Sequence, residues 1–160
     1  MNTPEASKNT SHTRRVVVAS ITLVIYLVIA FFVREYFEPV YPAREAYKRG
    51  LDAEGKKDYD LAIAEYTEAI RLGPNDNYNY YFSRAQSYMF NTGEYDKAIA
   101  DYKDAIRLGD SYVFHYAIGD CYMKLDDYAN AISYYEQSLQ RNPNNSEVKK
   151  KLETAKEKAR

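Results

Sequence analysis

YDLAIAEYTEAIRLG at residues 59–73 returns as YDKAIADYKDAIRLG at residues 95–109 and as YANAISYYEQSLQRN at residues 128–142. In each copy an aromatic residue, a small-aliphatic pair and a tyrosine recur at the spacing of one helical face. Such a stripe of apolar side chains has to be buried against another element. The three segments are therefore predicted to be amphipathic helices of one repeated unit.

A second helix is predicted upstream of each copy, at residues 43–55, 79–91 and 113–124. A small residue stands at the equivalent place in each of these first helices. The three are Gly50, Ala85 and Gly119. Because a small side chain lets the second helix approach closely, the unit is a helix pair, and successive pairs stack into one elongated core.

This pattern resembles the tetratricopeptide repeat (TPR), a helix pair of about 34 residues with small residues at fixed positions. The resemblance covers residues 43–145, in repeats at about 43–76, 78–110 and 112–145. Its positions are Gly50, Ala62, Ala69 and Pro74, then Ala85, Ala98 and Ala105, then Gly119, Ala131, Ser138 and Pro143. The sequence departs from the family by an extra residue in the turn at 91–93 and by Lys57 where glycine is usual. The resemblance implies an all-α, right-handed solenoid.

Residues 146–160 follow the last repeat and are predicted to form a capping helix. Ser146 is expected to cap its first turn, with Val148, Leu152 and Ala155 on one apolar stripe. Such a helix closes the open hydrophobic end of a stack of repeats. The lysines of this segment are interpreted as its solvated face, with a site for an acidic partner as the alternative.

A hydrophobic segment precedes the repeats. Residues 16–33 (VVVASITLVIYLVIAFFV) carry no charge, follow a polar tail at 1–15, and precede a proline-containing linker at 34–42. As a helix they would span about 27 Å, close to the hydrocarbon thickness of a bilayer. They are therefore predicted to be a single transmembrane helix.

A cleaved signal peptide is the alternative, with Val28-Ile29-Ala30 as a cleavage site. An uncleaved anchor is preferred because the apolar run is longer than the usual signal-peptide core of about 7–15 residues. Basic residues flank both ends, so their count alone does not orient the helix. The pair Arg14-Arg15 next to the segment favours a cytoplasmic N-terminus with the repeats on the far side.

Charge and composition point away from nucleic acid and from catalysis. The chain carries 22 basic and 23 acidic residues, which gives no field that recruits nucleic acid. His12, His115 and Cys121 have no neighbours at metal-ligand spacing, and no phosphate loop or activated nucleophile is found. The predictions are therefore no enzyme activity, no cofactor and no metal.

The resemblance implies a concave groove lined by the first helix of each pair. By alignment, the groove positions are Arg44, Tyr47, Leu51, Glu54, Asn79, Phe82, Gln86, Met89, Val113, Tyr116, Asp120 and Met123. One of these positions is aromatic in all three repeats, as Tyr47, Phe82 and Tyr116. The groove is thus expected to hold an apolar helix or extended peptide, while the alternative is that some of these rings pack between helices.

The resemblance also argues against one known ligand of the family. The carboxylate clamp that holds chaperone C-termini uses Lys, Asn and Arg at five positions. Here those positions are Tyr47, Leu51, Ser83, Val113 and Ala117. All five differ, so a chaperone-tail co-chaperone is not expected.

The sequence therefore predicts a membrane-tethered adaptor or scaffold. It binds a protein or peptide partner in the groove, as an accessory or assembly subunit of a membrane complex. Confinement to a membrane raises the effective concentration for other membrane-associated proteins, so weak contacts suffice. The alternative is a structural protein that self-assembles into homo-oligomers through its repeats.

Overall fold

Residues 4–37, 40–73, 77–91 and 93–160 are described by the computed structural model. They form eight α-helices and no strand, which confirms the predicted all-α fold. The helices are α1 (Pro4–Phe37), α2 (Val40–Gly55), α3 (Tyr59–Leu72), α4 (Tyr78–Asn91), α5 (Tyr95–Leu108), α6 (Tyr112–Lys124), α7 (Tyr128–Arg141) and α8 (Ser146–Lys158). Two compact units are distinguished, residues 1–41 and 42–160. Pro39, Pro74 and Thr92, which the sequence placed in turns or breaks, lie outside the described residues.

Helix α1 is longer than the predicted apolar segment at both ends. It takes in most of the polar tail and the first residues of the predicted linker, because no glycine or proline occurs between Pro4 and Pro39 to end it. The next helix begins at Val40, inside the predicted linker. Pro42 lies in the first turn of that helix, where a missing N–H loses no hydrogen bond. The described residues of the predicted linker, 34–37 and 40–42, are therefore helical.

In the second unit, three tyrosines occupy the centre of the helix pairs. Tyr66, Tyr102 and Tyr135 come from α3, α5 and α7, and each is at most 1 % exposed. The small residues of the first helices make room for two of these rings. A methyl group at Gly50 would lie 2.4 Å from Cε1 of Tyr66, and one at Gly119 would lie 2.6 Å from Cδ1 of Tyr135. In these two repeats the paired helices come close together, as predicted, because the tyrosine ring of the second helix packs against the glycine of the first.

Gly119→Ala is expected to destabilise the repeats by about 1–3 kcal/mol, since the added methyl group displaces the buried Tyr135 ring. Gly55→Ala is the control, because nothing lies within 4 Å of a methyl group there and alanine favours the helix. Thermal melting followed by circular dichroism measures both variants. Equal melting temperatures for the two would contradict the packing described.

Among the described residues, one with positive φ lies in the turn inside each helix pair. These residues are Lys57 (φ 61°), Gly93 (φ 64°) and Asp126 (φ 58°). Lys57 therefore takes the left-handed conformation that glycine or aspartate accommodates more easily, at a cost of about 1–2 kcal/mol. The following helix is capped in two of the three turns, where Asp58 and Asp127 accept backbone hydrogen bonds.

Helix α8 closes the stack as predicted. Val148, Leu152 and Ala155 are buried and pack in one cluster with Ala131 and Tyr135. The predicted cap residue is corrected by one position. Asn145, not Ser146, accepts the hydrogen bond from the backbone N–H of Val148, at 3.1 Å. Both residue types cap helices well, so the sequence alone did not decide between them.

Candidate functional site

The predicted groove positions all lie on α2, α4 and α6, and none of them is fully buried. Arg44, Leu51 and Asn79 are exposed. The remaining positions, which are Tyr47, Glu54, Phe82, Gln86, Met89, Val113, Tyr116, Asp120 and Met123, are half-buried. The first helices therefore present a partly open surface along these positions.

Tyr47 makes ring contacts on two sides. Its ring centroid lies 5.5 Å from Tyr66 of the same repeat and 5.1 Å from Tyr80 of the next. Its hydroxyl oxygen is 3.2 Å from Oγ of Ser83. Tyr47 thus joins the first two repeats by aromatic packing and by a hydrogen bond.

Phe82 occupies the equivalent place in the second repeat. Its ring lies 5.8 Å from Tyr102 of its own repeat and 5.3 Å from Phe114 of the third. Tyr116, in the third repeat, packs 6.4 Å from Tyr135 and donates a hydrogen bond of 2.6 Å to Glu147 of α8. All three rings therefore pack between helices, as the alternative interpretation of the sequence expected, while one edge of each stays near solvent.

A polar network lies where α6 meets α8. Asp120 accepts a hydrogen bond of 2.7 Å from the buried Tyr135 hydroxyl and binds Nζ of Lys151 at 2.6 and 2.8 Å. The same ammonium group lies 4.6 Å above the Tyr116 ring. Burial is the largest single influence and lowers the pKa of Lys151, but the hydrogen bonds to Asp120 and Tyr116 and the negative charge of Asp120 together outweigh it, so that the pKa is raised. Lys151 therefore stays charged and forms an ion pair with Asp120.

Two open pockets lie along the first helices. The larger, of about 520 Å³, lies between the ends of α4 and α6 and the exposed side of α8. It is lined by Met89, Phe90, Tyr95, Asp120, Met123, Lys124, Tyr135, Lys151, Thr154 and Lys158. The smaller, of about 370 Å³, lies between the starts of α4 and α6 and includes Asn79, Phe82 and Val113. Six of the predicted groove residues therefore line pockets.

Phe90, Lys124, Thr154 and Lys158 line the larger pocket, but the groove prediction did not include them. The last two come from α8, which the sequence assigned to a solvated cap. The sequence does contain a signal that α8 lies beside the groove. The helices α4, α6 and α8 begin at Tyr78, Tyr112 and Ser146, which are 34 residues apart. Helix α8 thus stands where the first helix of a fourth repeat would stand.

The five positions compared with the carboxylate clamp carry no cation. Tyr47 and Ser83 bind each other, and Ala117 is buried. Leu51 is exposed and Val113 half-buried, so these two positions present apolar side chains. Their chemistry does not fit a peptide carboxylate.

The remaining candidate groups are held in structural contacts. Nε2 of the buried His115 is 2.7 Å from Asp110. Burial raises the pKa of the Cys121 thiol to about 12, so the thiolate nucleophile does not form near neutral pH. Within the described ranges, no three His, Cys, Asp or Glu side chains come together as a metal site.

Stacked helix pairs with an open groove define a helical-repeat binding module. Two models described as tetratricopeptide repeat match the chain, over residues 47–112 and 112–145, which together make up more than half of it. The chain therefore belongs to the tetratricopeptide-repeat family. No curated protein sequence matches it significantly.

Several solved structures are similar to this chain. The TPR domain of Sgt2 from Aspergillus fumigatus is 28 % identical, with a TM-score of 0.64 over 73 % of this chain and 78 % of that one. The first TPR of Spaghetti (RPAP3), bound to the HSP90 peptide SRMEEVD, is 25 % identical, with a TM-score of 0.67 over 74 % and 93 %. The second TPR domain of human RPAP3, in complex with the HSP70 peptide SGPTIEEVD, is 25 % identical, with a TM-score of 0.67 over 74 % and 98 %.

Proposed function

We propose that this protein is a membrane-tethered adaptor whose repeats bind a partner protein. The proposal rests on one observation, which is that the same chain contains an exposed apolar helix, α1, and an open groove along α2, α4 and α6. From Val17 to Val33 the large apolar side chains of α1 are all exposed, between 47 and 69 %. So much apolar surface on one helix needs a cover, and a bilayer supplies it.

The anchor is supported by length and composition. Val17–Arg34 is long and apolar enough to cross a membrane, and Arg34 stands at its end. The Thr22 hydroxyl donates to the Ala19 carbonyl at 2.9 Å, which satisfies this polar group within the helix. The paired arginines at 14 and 15 support an N-terminus on the cytoplasmic side, with the repeats on the far side.

Peptide binding by similar domains supports the adaptor role. The two RPAP3 domains were solved with chaperone peptides. In this chain the clamp positions lack basic and amide side chains, so we propose that they contact apolar side chains of the ligand and not a terminal carboxylate. Methionine and aromatic side chains adapt to such ligands. The protein acts by binding and not by catalysis.

We expect α1 to remain attached to the mature protein and to resist extraction. Since the apolar run is longer than the usual core of a signal peptide, the full chain should stay in the membrane pellet after alkaline carbonate treatment. N-terminal sequencing of the pelleted protein should not start near Phe31. A mature protein that begins there would identify a signal peptide and remove the tether from the proposal.

The groove is tested by photo-crosslinking in the native membrane. A crosslinking residue at the exposed Leu51 or Phe90 should capture a partner protein, whereas one at Ala100 or Ala129, exposed on α5 and α7, should not. Capture only from the α5 and α7 positions would place the partner elsewhere and reject the groove. Capture of a second copy of this chain alone would support the self-assembly alternative.

A further inference from the structure

The larger pocket has an apolar floor. Met89 at the end of α4 and Met123 at the end of α6 face it, with Phe90 beside them. Phe90 is 59 % exposed, so its ring is open to contact by a bound ligand. A pocket of this volume, open on one side, accommodates one bulky side chain and the adjoining backbone of a peptide.

The rim of the same pocket is basic. Lys124 on α6 and Lys158 on α8 are exposed and make no ion pair or hydrogen bond with any residue that the structure describes. Lys158 lies 5.5 Å from the Tyr128 ring centroid, which does not neutralise it. The carboxylate in the pocket, Asp120, is already bound by Lys151. The pocket is left with two uncompensated positive charges next to apolar surface.

This positive rim contrasts with the rest of the repeats. Between residues 34 and 145 the sequence has 13 basic and 19 acidic residues, whereas residues 146–160 have six basic and three acidic ones. Helix α8 directs two of its lysines into the pocket, Lys151 and Lys158. Basic charge therefore accumulates at the end of the groove that α8 closes. This charge complements an acidic ligand.

We propose that the pocket between α4, α6 and α8 binds an acidic segment of the partner, with one bulky apolar side chain flanked by carboxylates. Leu, Met or Phe of this segment packs on Met89, Phe90 and Met123. The flanking Asp or Glu side chains pair with Lys124 and Lys158. This inference rests on the proposed adaptor function and names the ligand class of its groove. It assigns to α8 a part in binding as well as in closing the stack.

Peptide selection tests the inference on the full chain in nanodiscs of neutral phosphatidylcholine. A random dodecapeptide phage library should yield peptides that carry Leu, Met or Phe between acidic residues. The consensus peptide should bind Lys124→Ala/Lys158→Ala at least about tenfold more weakly than wild type, and Phe90→Ala should weaken it as well. Raising the salt concentration should weaken wild-type binding.

Lys149→Ala/Lys156→Ala is the matched control, because it removes the same charge from the opposite flank of α8. These lysines do not line the pocket, so its affinity should stay within about twofold of wild type. Equal losses in both double variants would show a general charge effect and overturn the inference. So would selection of peptides without acidic residues, or of no peptides at all.

Two further outcomes separate the possible failures. If wild-type nanodiscs bind anionic vesicles through Lys124 and Lys158 while no acidic peptide is enriched, the lysines serve a lipid surface and the inference falls. If Leu51 and Phe90 still crosslink to a partner but acidic peptides are not selected, only the ligand class is wrong. If crosslinking from the groove also fails, the proposed function falls with it.

Discussion

Replacing Tyr47, Phe82 and Tyr116 together by alanine is expected to unfold the repeats. Each ring packs against the second helix of its own repeat, and the first two also pack against the next repeat. Removing a buried ring costs about 3–5 kcal/mol, and these rings are half-buried, so about 2 kcal/mol each is expected. The combined loss of about 6 kcal/mol is comparable with the whole stability of a domain, about 5–15 kcal/mol.

Circular dichroism of the full chain in detergent micelles measures this effect, as loss of the cooperative thermal transition of the repeats. Tyr47→Phe is the control, since it keeps the ring and removes only the hydrogen bond to Ser83, worth about 0.5–1.5 kcal/mol. A triple variant that melts cooperatively near the wild-type temperature would mean that the rings carry little packing energy. They would then be available to a ligand.

The expected unfolding limits which residues can report on binding. A variant that loses both fold and partner does not distinguish groove from core. The exposed Leu51 and Phe90 and the two unpaired rim lysines, Lys124 and Lys158, are better probes because they support little of the packing. Binding is therefore better probed at these positions than at Tyr47, Phe82 and Tyr116.

The sequence predicted the helix pairs well because the pattern of the fold is local. Small residues recur at fixed positions of the first helices and tyrosines at fixed positions of the second helices. In the structure such residues pack against each other, as Gly119 does against Tyr135. Two of the turns are also specified locally, since Asp58 and Asp127 stand directly before helices that they cap. Helical period and capping chemistry depend on residues only a few positions apart.

The candidate site was harder to predict from the sequence because it depends on contacts between repeats. The alignment placed Tyr47 and Phe82 on the groove side, but whether a ring faces solvent or the next helix depends on the spacing of successive pairs. An ion pair shows the same limit. Arg84 binds both carboxylate oxygens of the buried Asp101 at 2.7 Å, and the third repeat has Ile118 in the place of this arginine. The first repeat has the equivalent pair, Arg49 with Glu65 at 2.7 Å, but a repeated arginine and carboxylate on two helices do not by themselves show that the two side chains meet.

The place of α8 beside the pocket was not predicted for a related reason. Lys149, Lys150 and Lys158 are exposed, as the sequence predicted, but Lys151 binds Asp120 and Lys158 lines the pocket. An amphipathic pattern identifies the buried stripe of a helix but not what lies beside each flank. Only the position of α8 against α6 shows which of its two flanks lies beside the pocket.

Ala98→Trp is expected to disrupt the second helix pair. Ala98 is fully buried on α5, in a cluster with Ala85, Tyr102 and Ile118. An indole there has to displace these side chains, and overpacking of this kind costs about 3 kcal/mol or more. The melting temperature should fall by more than about 10 °C, or the cooperative transition should disappear.

Ala100→Trp is the matched control for this variant, because it places the same side chain two residues further along the same helix. Ala100 is exposed, so its effect should stay within about 0.5 kcal/mol of wild type. Both variants are melted as full chains under identical conditions. If Trp at position 98 is tolerated as well as Trp at position 100, the register of α5 against α4 and α6 is wrong. The alignment that places the groove residues of the second repeat would then be wrong with it, because Ala98 is one of the positions by which that repeat is aligned.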